Sequence, residues 1–263
     1  MTAILTVKEL SVRLRDPADP ARWTVPVDRV SLTLHRGRTT VVVGETGAGK
    51  SLLLTSLIGL LPPGAEVAGS ARLMLDPSPV ELTRLSGQAW RRIRGRRIGL
   101  LSQQAAFSPV RTIGAQLSEV HPIVHLTALA EDCGLSPALL QRHPSELSGG
   151  QLRRAALVAA LLHDPVVLLA DEPTAGIGAA EVGPVLERLH APRRARVTEA
   201  PGTEARGTLV VTHDLAVAEG IADDLVVMRR GRIVEAGPAE RVLTAPEHPY
   251  TRRLLAARRE VTP

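Results

Sequence analysis

The β-branched run Thr40-Val41-Val42-Val43 opens directly into Gly44-Glu45-Thr46-Gly47-Ala48-Gly49-Lys50-Ser51, and an apolar stretch from Leu52 to Leu61 follows before Pro62-Pro63. The order is that of a phosphate-binding loop: a buried strand, glycine at both fixed positions, then lysine and serine at the head of a helix. Glycines let backbone N–H groups turn inward around an anion with no Cβ in the way. A helix beginning at Lys50-Ser51-Leu52 adds partial positive charge at its N-terminus. Lys50 supplies a point charge for the outer phosphates, and the Ser51 hydroxyl is a hard oxygen ligand suited to Mg²⁺. The chain has 32 Lys and Arg residues, yet only Lys8 and Lys50 are lysine. A lysine at this position is therefore not a product of composition.

The 263 residues suffice for one large α/β domain or two small ones. Aromatic content is 2 %, so Leu, Val, Ile and Ala must build the core. No apolar run approaches the roughly 18–20 residues that span a bilayer, and the N-terminus lacks a charged-then-apolar export pattern. A single cysteine, Cys133, allows no internal disulfide. These features predict a soluble protein on the cytoplasmic side. The net charge of +5 comes from scattered arginines. With few aromatics on which bases could stack, nucleic acid is not an expected partner.

Ile4–Leu14 alternates apolar and polar residues and reads as a half-buried strand. Val30–Leu34, Ser70–Leu75 and Arg97–Leu101 read as further strands, and 16–20 as a turn-rich loop. Residues 112–142 carry helical spacing broken at Pro137 and Pro144, and 152–163 is an Ala/Leu/Arg-rich helix. Val166–Ala170 and Thr208–Thr212 are apolar on both faces, as strands of a parallel sheet covered on both sides are. Residues 191–207 read as a mobile surface loop, 225–235 as a hairpin turning at Gly231, and the tail from Pro238 as two short helices.

Three further motifs carry chemistry. The strand Val166–Ala170 ends in Asp171-Glu172. Asp171 is placed to hold Mg²⁺ opposite Ser51, and Glu172 to take a proton from an attacking water, a contribution of about 10²–10⁴ in rate. Leu147-Ser148-Gly149-Gly150-Gln151 opens a helix with outward N–H groups and a hydroxyl. This is a second anion site, and one γ-phosphate does not need two loops of the same chain; the loop is expected to face a nucleotide held by another subunit. Thr212-His213-Asp214 ends an apolar strand, where His213 can meet the γ-phosphate and the attacking water. Gln103, after the strand at 98–101, is the expected phosphate and Mg²⁺ sensor, with Gln104 one residue away as the other register.

Taken together, GETGAGKS, Gln103, LSGGQ, LLADEPT and THD resemble the ATP-binding subunits of ABC transporters over nearly the whole chain. The resemblance implies a RecA-like P-loop NTPase core with a mainly parallel sheet (about 1–104 and 164–240). It also implies an N-terminal antiparallel β portion, a helical subdomain (about 105–163) and a C-terminal helical tail (about 241–263). It implies a head-to-tail dimer with two ATP molecules between subunits. ATP and Mg²⁺ would be held by residues 44–52 and Gln103, with Ser148, Gly149, Gly150 and Gln151 completing the partner's site. Val30–Arg38 and the tail His248–Leu255 are similar to the dipeptide, oligopeptide and nickel importer branch. That branch implies two transmembrane permease subunits, a second ATPase subunit, an extracytoplasmic solute-binding protein acting indirectly, and a place on the cytoplasmic face of the membrane. An exporter ATPase and a non-transport ABC ATPase acting on nucleic acid are the alternatives. The tail carries no cysteine, so no iron–sulfur cluster is expected. Gly178 stands where the family usually has an aspartate after Glu172-Pro173-Thr174, which suggests a partner of different sequence and unequal sites. Trp23 is the candidate for stacking on adenine and equally fits a half-buried strand end.

Overall fold

The computed structural model describes residues 1–259 except 17, 20, 105, 121–125 and 191–204. The expected loop at 191–207 therefore lies mostly outside the described residues. The long strands β1 (Ala3–Arg15) and β2 (Trp23–His35) pair antiparallel, and β3 (Thr39–Val43) leads into α1 (Lys50–Ser56). β4 (Glu66–Leu73), β5 (Val80–Glu81) and α2 (Gly87–Ile93) precede β6 (Ile98–Leu101). Next come α3 (Ile113–Val120), α4 (Leu126–Asp132), two short 3₁₀ turns and α5 (Gly149–Leu161). The remaining elements are β7 (Val167–Asp171), α6 (Ala179–His190), β8 (Gly207–Thr212), α7 (Leu215–Ile221), β9 (Asp224–Arg229), β10 (Arg232–Pro238), α8 (Ala239–Thr244) and α9 (Pro249–Arg259).

Two sheets result. One is antiparallel with order β2-β1-β4-β5; the other runs β10-β9-β3-β8-β7-β6 and is parallel except for the β9–β10 hairpin. Strand alternation divides the large sheet between two cores. Val41, Val43, Leu168, Ala170 and Val210 point toward the helical side with α3 to α8. Val42, Val167, Leu169, Leu209 and Val211 point toward the antiparallel sheet, α1 and α2. This is the RecA-like core with an antiparallel β portion that the family resemblance implies. Among the described residues, no helix is long and apolar enough to cross a membrane.

Some boundaries differ from the sequence reading. The helix after the phosphate loop was expected to run to Leu61 but leaves helical geometry at Gly59, which adopts φ 64°. There the N–H of Leu60 reaches Thr55 O and that of Gly59 reaches Ser56 O, a Schellman termination ahead of the prolines. Arg94 adds its own cap, donating from Nε to Ile58 O at 2.8 Å and from Nη2 to Gly59 O at 2.5 Å. β2 begins at Trp23 rather than near Val30, and β4 occupies 66–73 rather than 70–75. Irregular register between β1 and β2, including shifts between Val7 and Leu10 and between Leu10 and Val12, interrupts the alternation a period-two reading relies on.

Candidate functional site

Parallel strands in register deliver their loops to one edge of the large sheet. Val43 pairs with Thr212, Asp171 with Val211 and Leu101 with Ala170, so β3, β8, β7 and β6 all end at the same level. Ligands of open α/β sheets bind at such carboxyl ends. A cavity of about 420 Å³ lies there, lined by Pro26, Thr46, Gly47, Gly49, Lys50, Ser51, Leu52, Gln103, Glu172 and His213.

The phosphate loop is shaped by close packing. A Cβ on Gly44 would lie 2.2 Å from Met228 O, and one on Gly49 would lie 2.0 Å from Pro26 O. Both positions have positive φ, so glycine is required by conformation and by space. Behind the loop, Glu45 N–H donates to the Tyr250 hydroxyl of α9 at 3.1 Å, and Gly231 N–H donates to Ala48 O at 3.0 Å. Arg229 stacks on the Tyr250 ring at 4.8 Å. The loop is thus gripped by the β9–β10 turn and the C-terminal helix.

Lys50 is buried, and its Nζ donates to Gly44 O at 2.7 Å and Glu45 O at 3.0 Å. Burial lowers its pKa while Glu172 and Asp171 pull it back up. Ser51 Oγ donates to Asp171 Oδ1 at 3.0 Å, bringing a hydroxyl and a carboxylate together. Burial raises the Asp171 pKa; the Ser51 bond opposes this, and the Glu172 charge adds to it. A buried carboxylate beside a hydroxyl is a hard-oxygen donor set that suits Mg²⁺.

Glu172 sits at φ 46°, a left-handed conformation rare for a residue with a side chain. Its carboxylate accepts from Thr212 Oγ1 at 2.9 Å and from His213 N–H at 3.0 Å, and His213 Nδ1 lies 2.8 Å from Oε1. Thr212 Oγ1 also accepts from Asp214 N–H at 3.0 Å. With Nδ1 engaged by the carboxylate, Nε2 is the ring nitrogen left to meet a ligand. The His213 side chain is 67 % exposed and Glu172 12 %, so the ring is open to solvent while its carboxylate partner is not.

Several expected site residues lie away from this cavity's lining. Ser148 caps α5 by accepting from Gln151 N–H at 3.2 Å, and Gln151 Oε1 accepts from Ser148 N–H at 2.9 Å. Ser148 and Gly149 are exposed, Gln151 is half-buried and Gly150 is buried. Glu45 is exposed and Ala48 is buried, both within the loop itself. Trp23 is a half-buried residue at the start of β2, with Arg13 and Arg15 over its ring at 4.7 Å and 4.9 Å. The cavity reaches β2 at Pro26 instead. Sequence reasoning passed over Thr212 and Tyr250 as partners of the site. Thr212 precedes His213 directly and was legible as a hydroxyl beside the histidine; the Tyr250 contact, from the far end of the chain, had no local signal.

The fold and the cavity define a P-loop NTPase. The chain belongs to the ABC transporter family, whose sequence profile matches residues 27–175, and it is an ATP-hydrolysing member. It is 34 % identical over 96 % of its length to a putative peptide import ATP-binding protein of Brucella melitensis, covering 76 % of that protein. It is 33 % identical over 97 % of its length to the peptidoglycan transport ATP-binding protein YejF of Agrobacterium fabrum, spanning 47 % of that chain. It is 36 % identical over 88 % of its length to the glutathione import ATP-binding protein GsiA of Salmonella typhimurium, spanning 38 % of it. The dimeric structure of MJ0796, a bacterial ABC transporter cassette, superposes with TM-score 0.74 at 20 % identity, covering 90 % of this chain and 99 % of that one. A post-hydrolysis form of the same cassette, bound to ADP and Pi, matches equally, with TM-score 0.74.

Proposed function

We propose that this chain powers solute uptake by hydrolysing Mg-ATP at the interface of an ATPase dimer on the cytoplasmic face of the membrane. The observation that carries the reading is the convergence of Lys50, Ser51, Gln103, Glu172 and His213 on one cavity, with Asp171 bonded to Ser51 beside it. Lys50 and the amides of residues 44–52 hold the phosphates, and no covalent intermediate is needed, because phosphoryl transfer rests on positioning and charge. Ser51, Asp171 and Gln103 would hold Mg²⁺, which when bound neutralises phosphate charge. Glu172 would take the proton of the attacking water, its carboxylate seated by Thr212 and His213, and His213 would act on the γ-phosphate as a donor, from an Nε2 that carries a proton.

Ser148, Gly149, Gly150 and Gln151 complete the partner's site. The exposure of Ser148 and Gly149 at the head of α5, and the place of all four residues away from their own chain's cavity lining, support that reading. The stretch from about 105 to 163 would act as the helical subdomain, and the one from about 241 onward as a C-terminal tail. Gly178, where the family usually has an aspartate, lacks a carboxylate to link the two sites, which supports pairing with a second ATPase of different sequence; the position is exposed, and a Cβ there would meet nothing within 4 Å. Two permease subunits carry the solute, and a solute-binding protein delivers it outside. Relatives named for peptide and glutathione import favour peptides as the solute class, with metal chelates such as nickel complexes as the other. The adenine would rest near Pro26, with Trp23 as its stacking candidate.

The test is Glu172→Gln in the assembled transporter. ATP binding should persist while kcat falls by about 10²–10⁴. Unchanged hydrolysis would remove Glu172 from its role, and failure of the tagged chain to co-purify with permease subunits would remove the transport reading.

A further inference from the structure

Arg153 projects inward from α5, one turn past the Ser148 cap, and is 4 % exposed. A guanidinium carries five N–H donors in one plane, and here each meets a main-chain carbonyl. Nε donates to Pro173 O at 2.9 Å. Nη1 donates to Ser102 O and, at 3.0 Å, to Gln103 O. Nη2 donates to Asp171 O at 2.8 Å and to Glu172 O at 2.6 Å. These carbonyls belong to two segments far apart in sequence: the loop after β6 and the end of β7. Gln103 and Glu172, which line the cavity, are each bonded through their own carbonyls.

Stability alone does not explain a buried cation here. Desolvating a guanidinium is costly, and a well-packed neutral side chain often does as well. Burial indeed lowers the Arg153 pKa against the pull of Asp171 and Glu172. What a planar fork offers is geometry: it fixes two strand-end loops relative to each other and to one helix. We propose that Arg153 is a positioning residue of the ATPase reaction, holding the main chain of Gln103 and of Asp171–Pro173 to α5, so that a shift of α5 moves sensor and base together. The head of that same helix is the Ser148 loop, so closure of a partner over Ser148 is felt at this chain's own Glu172. The inference rests on the roles proposed above for Glu172 and Gln103.

The experiment compares Arg153→Lys with the unmodified chain in the assembled transporter. Lysine keeps the charge but offers a point donor on a flexible stem. kcat should fall by about 10²-fold, as for a small misplacement of catalytic groups, while KM for ATP and the affinity for trinitrophenyl-ATP stay unchanged because the phosphate loop is untouched. Unmodified kcat in folded, ATP-binding Arg153→Lys, with or without a lower melting temperature, overturns the inference and leaves Arg153 a structural tie. If Glu172→Gln also hydrolyses normally, the site assignment itself has failed; if it does not, only the inference has. Arg153→Gln serves where lysine prevents folding. In the unmodified chain, Mg-ATP should slow amide hydrogen exchange at 102–104, 148–155 and 171–174 together, and protection confined to 171–174 overturns the inference independently of any variant.

Discussion

Glu81 and Asp171 show how differently the two sheets treat a carboxylate. Glu81, on β5 at the edge of the antiparallel sheet, accepts from Ser70 Oγ, Ala71 N–H and Thr83 Oγ1. Burial pushes its pKa up, but these bonds outweigh it and hold the group down at about 2. Asp171, at the end of a parallel strand, has one hydroxyl partner and a raised pKa, chiefly from burial. The first carboxylate is satisfied by its own fold. The second keeps a raised pKa despite the charges of Lys50 and Arg153, and it is the one beside the phosphate loop. The carboxylate of the antiparallel sheet is held by two hydroxyls and an amide of its own fold, and that of the parallel sheet by a single hydroxyl of the phosphate-loop helix.

The contrast is broken most severely through the cores. Leu169 on β7 and Leu5 on β1 are both 0 % exposed, and truncation of either to alanine should cost about 2–5 kcal/mol in urea unfolding. Under conditions where both variants stay folded, only Leu169→Ala should also lose kcat, because it lies two residues before Asp171 on the same strand. Equal kcat losses from both would erase the distinction between the sheets.

Glu81→Gln should destabilise by about 1.5–3 kcal/mol at neutral pH, the worth of hydrogen bonds to a charged acceptor, with ATP turnover kept. The native pKa is depressed, so the stabilisation is full above the ordinary value of 4.5 and is lost as pH falls toward about 2. Thermal melts of the two proteins should therefore converge in acid; a gap that stays constant with pH would refute the ionic origin.

Asp171→Asn gives the smallest shift and the opposite sign. A raised native pKa means that ionisation opposes folding at neutral pH. The nucleotide-free variant should thus melt higher, by ~2–4 °C for each kcal/mol of relief in a chain of this size, while losing Mg²⁺-dependent turnover. A lower melting temperature would show that Asp171 is held by the fold after all.

Much of this site was legible because each of its parts is local. Val41–Lys50 carries its strand, glycines and lysine in one window, and Leu168–Glu172 and Val210–His213 each read as an apolar strand with polar residues at the end. Parallel pairing in register then brings the ends together without any further signal. Other features depend on partners distant in sequence. Trp23 opens β2 paired with Arg15 of β1, and Arg13 and Arg15 meet its ring, partners that a period-two pattern does not reveal. Arg153 sits in a helix rich in arginine and leucine, and nothing local distinguishes it from Arg154 as the one that turns inward. The φ of 46° at Glu172 goes with bonds to Val211, Thr212, His213 and Arg153, all distant in sequence, and not with any preference of glutamate for that conformation.

The hydroxyl that receives Glu45 N–H belongs to Tyr250, so the phosphate loop is tied to a residue 205 positions further along the chain. During synthesis the loop emerges from the ribosome well before α9, and the tie cannot form until that helix has followed. A nascent chain halted before α9 would display every residue of the loop and still lack its rear anchor.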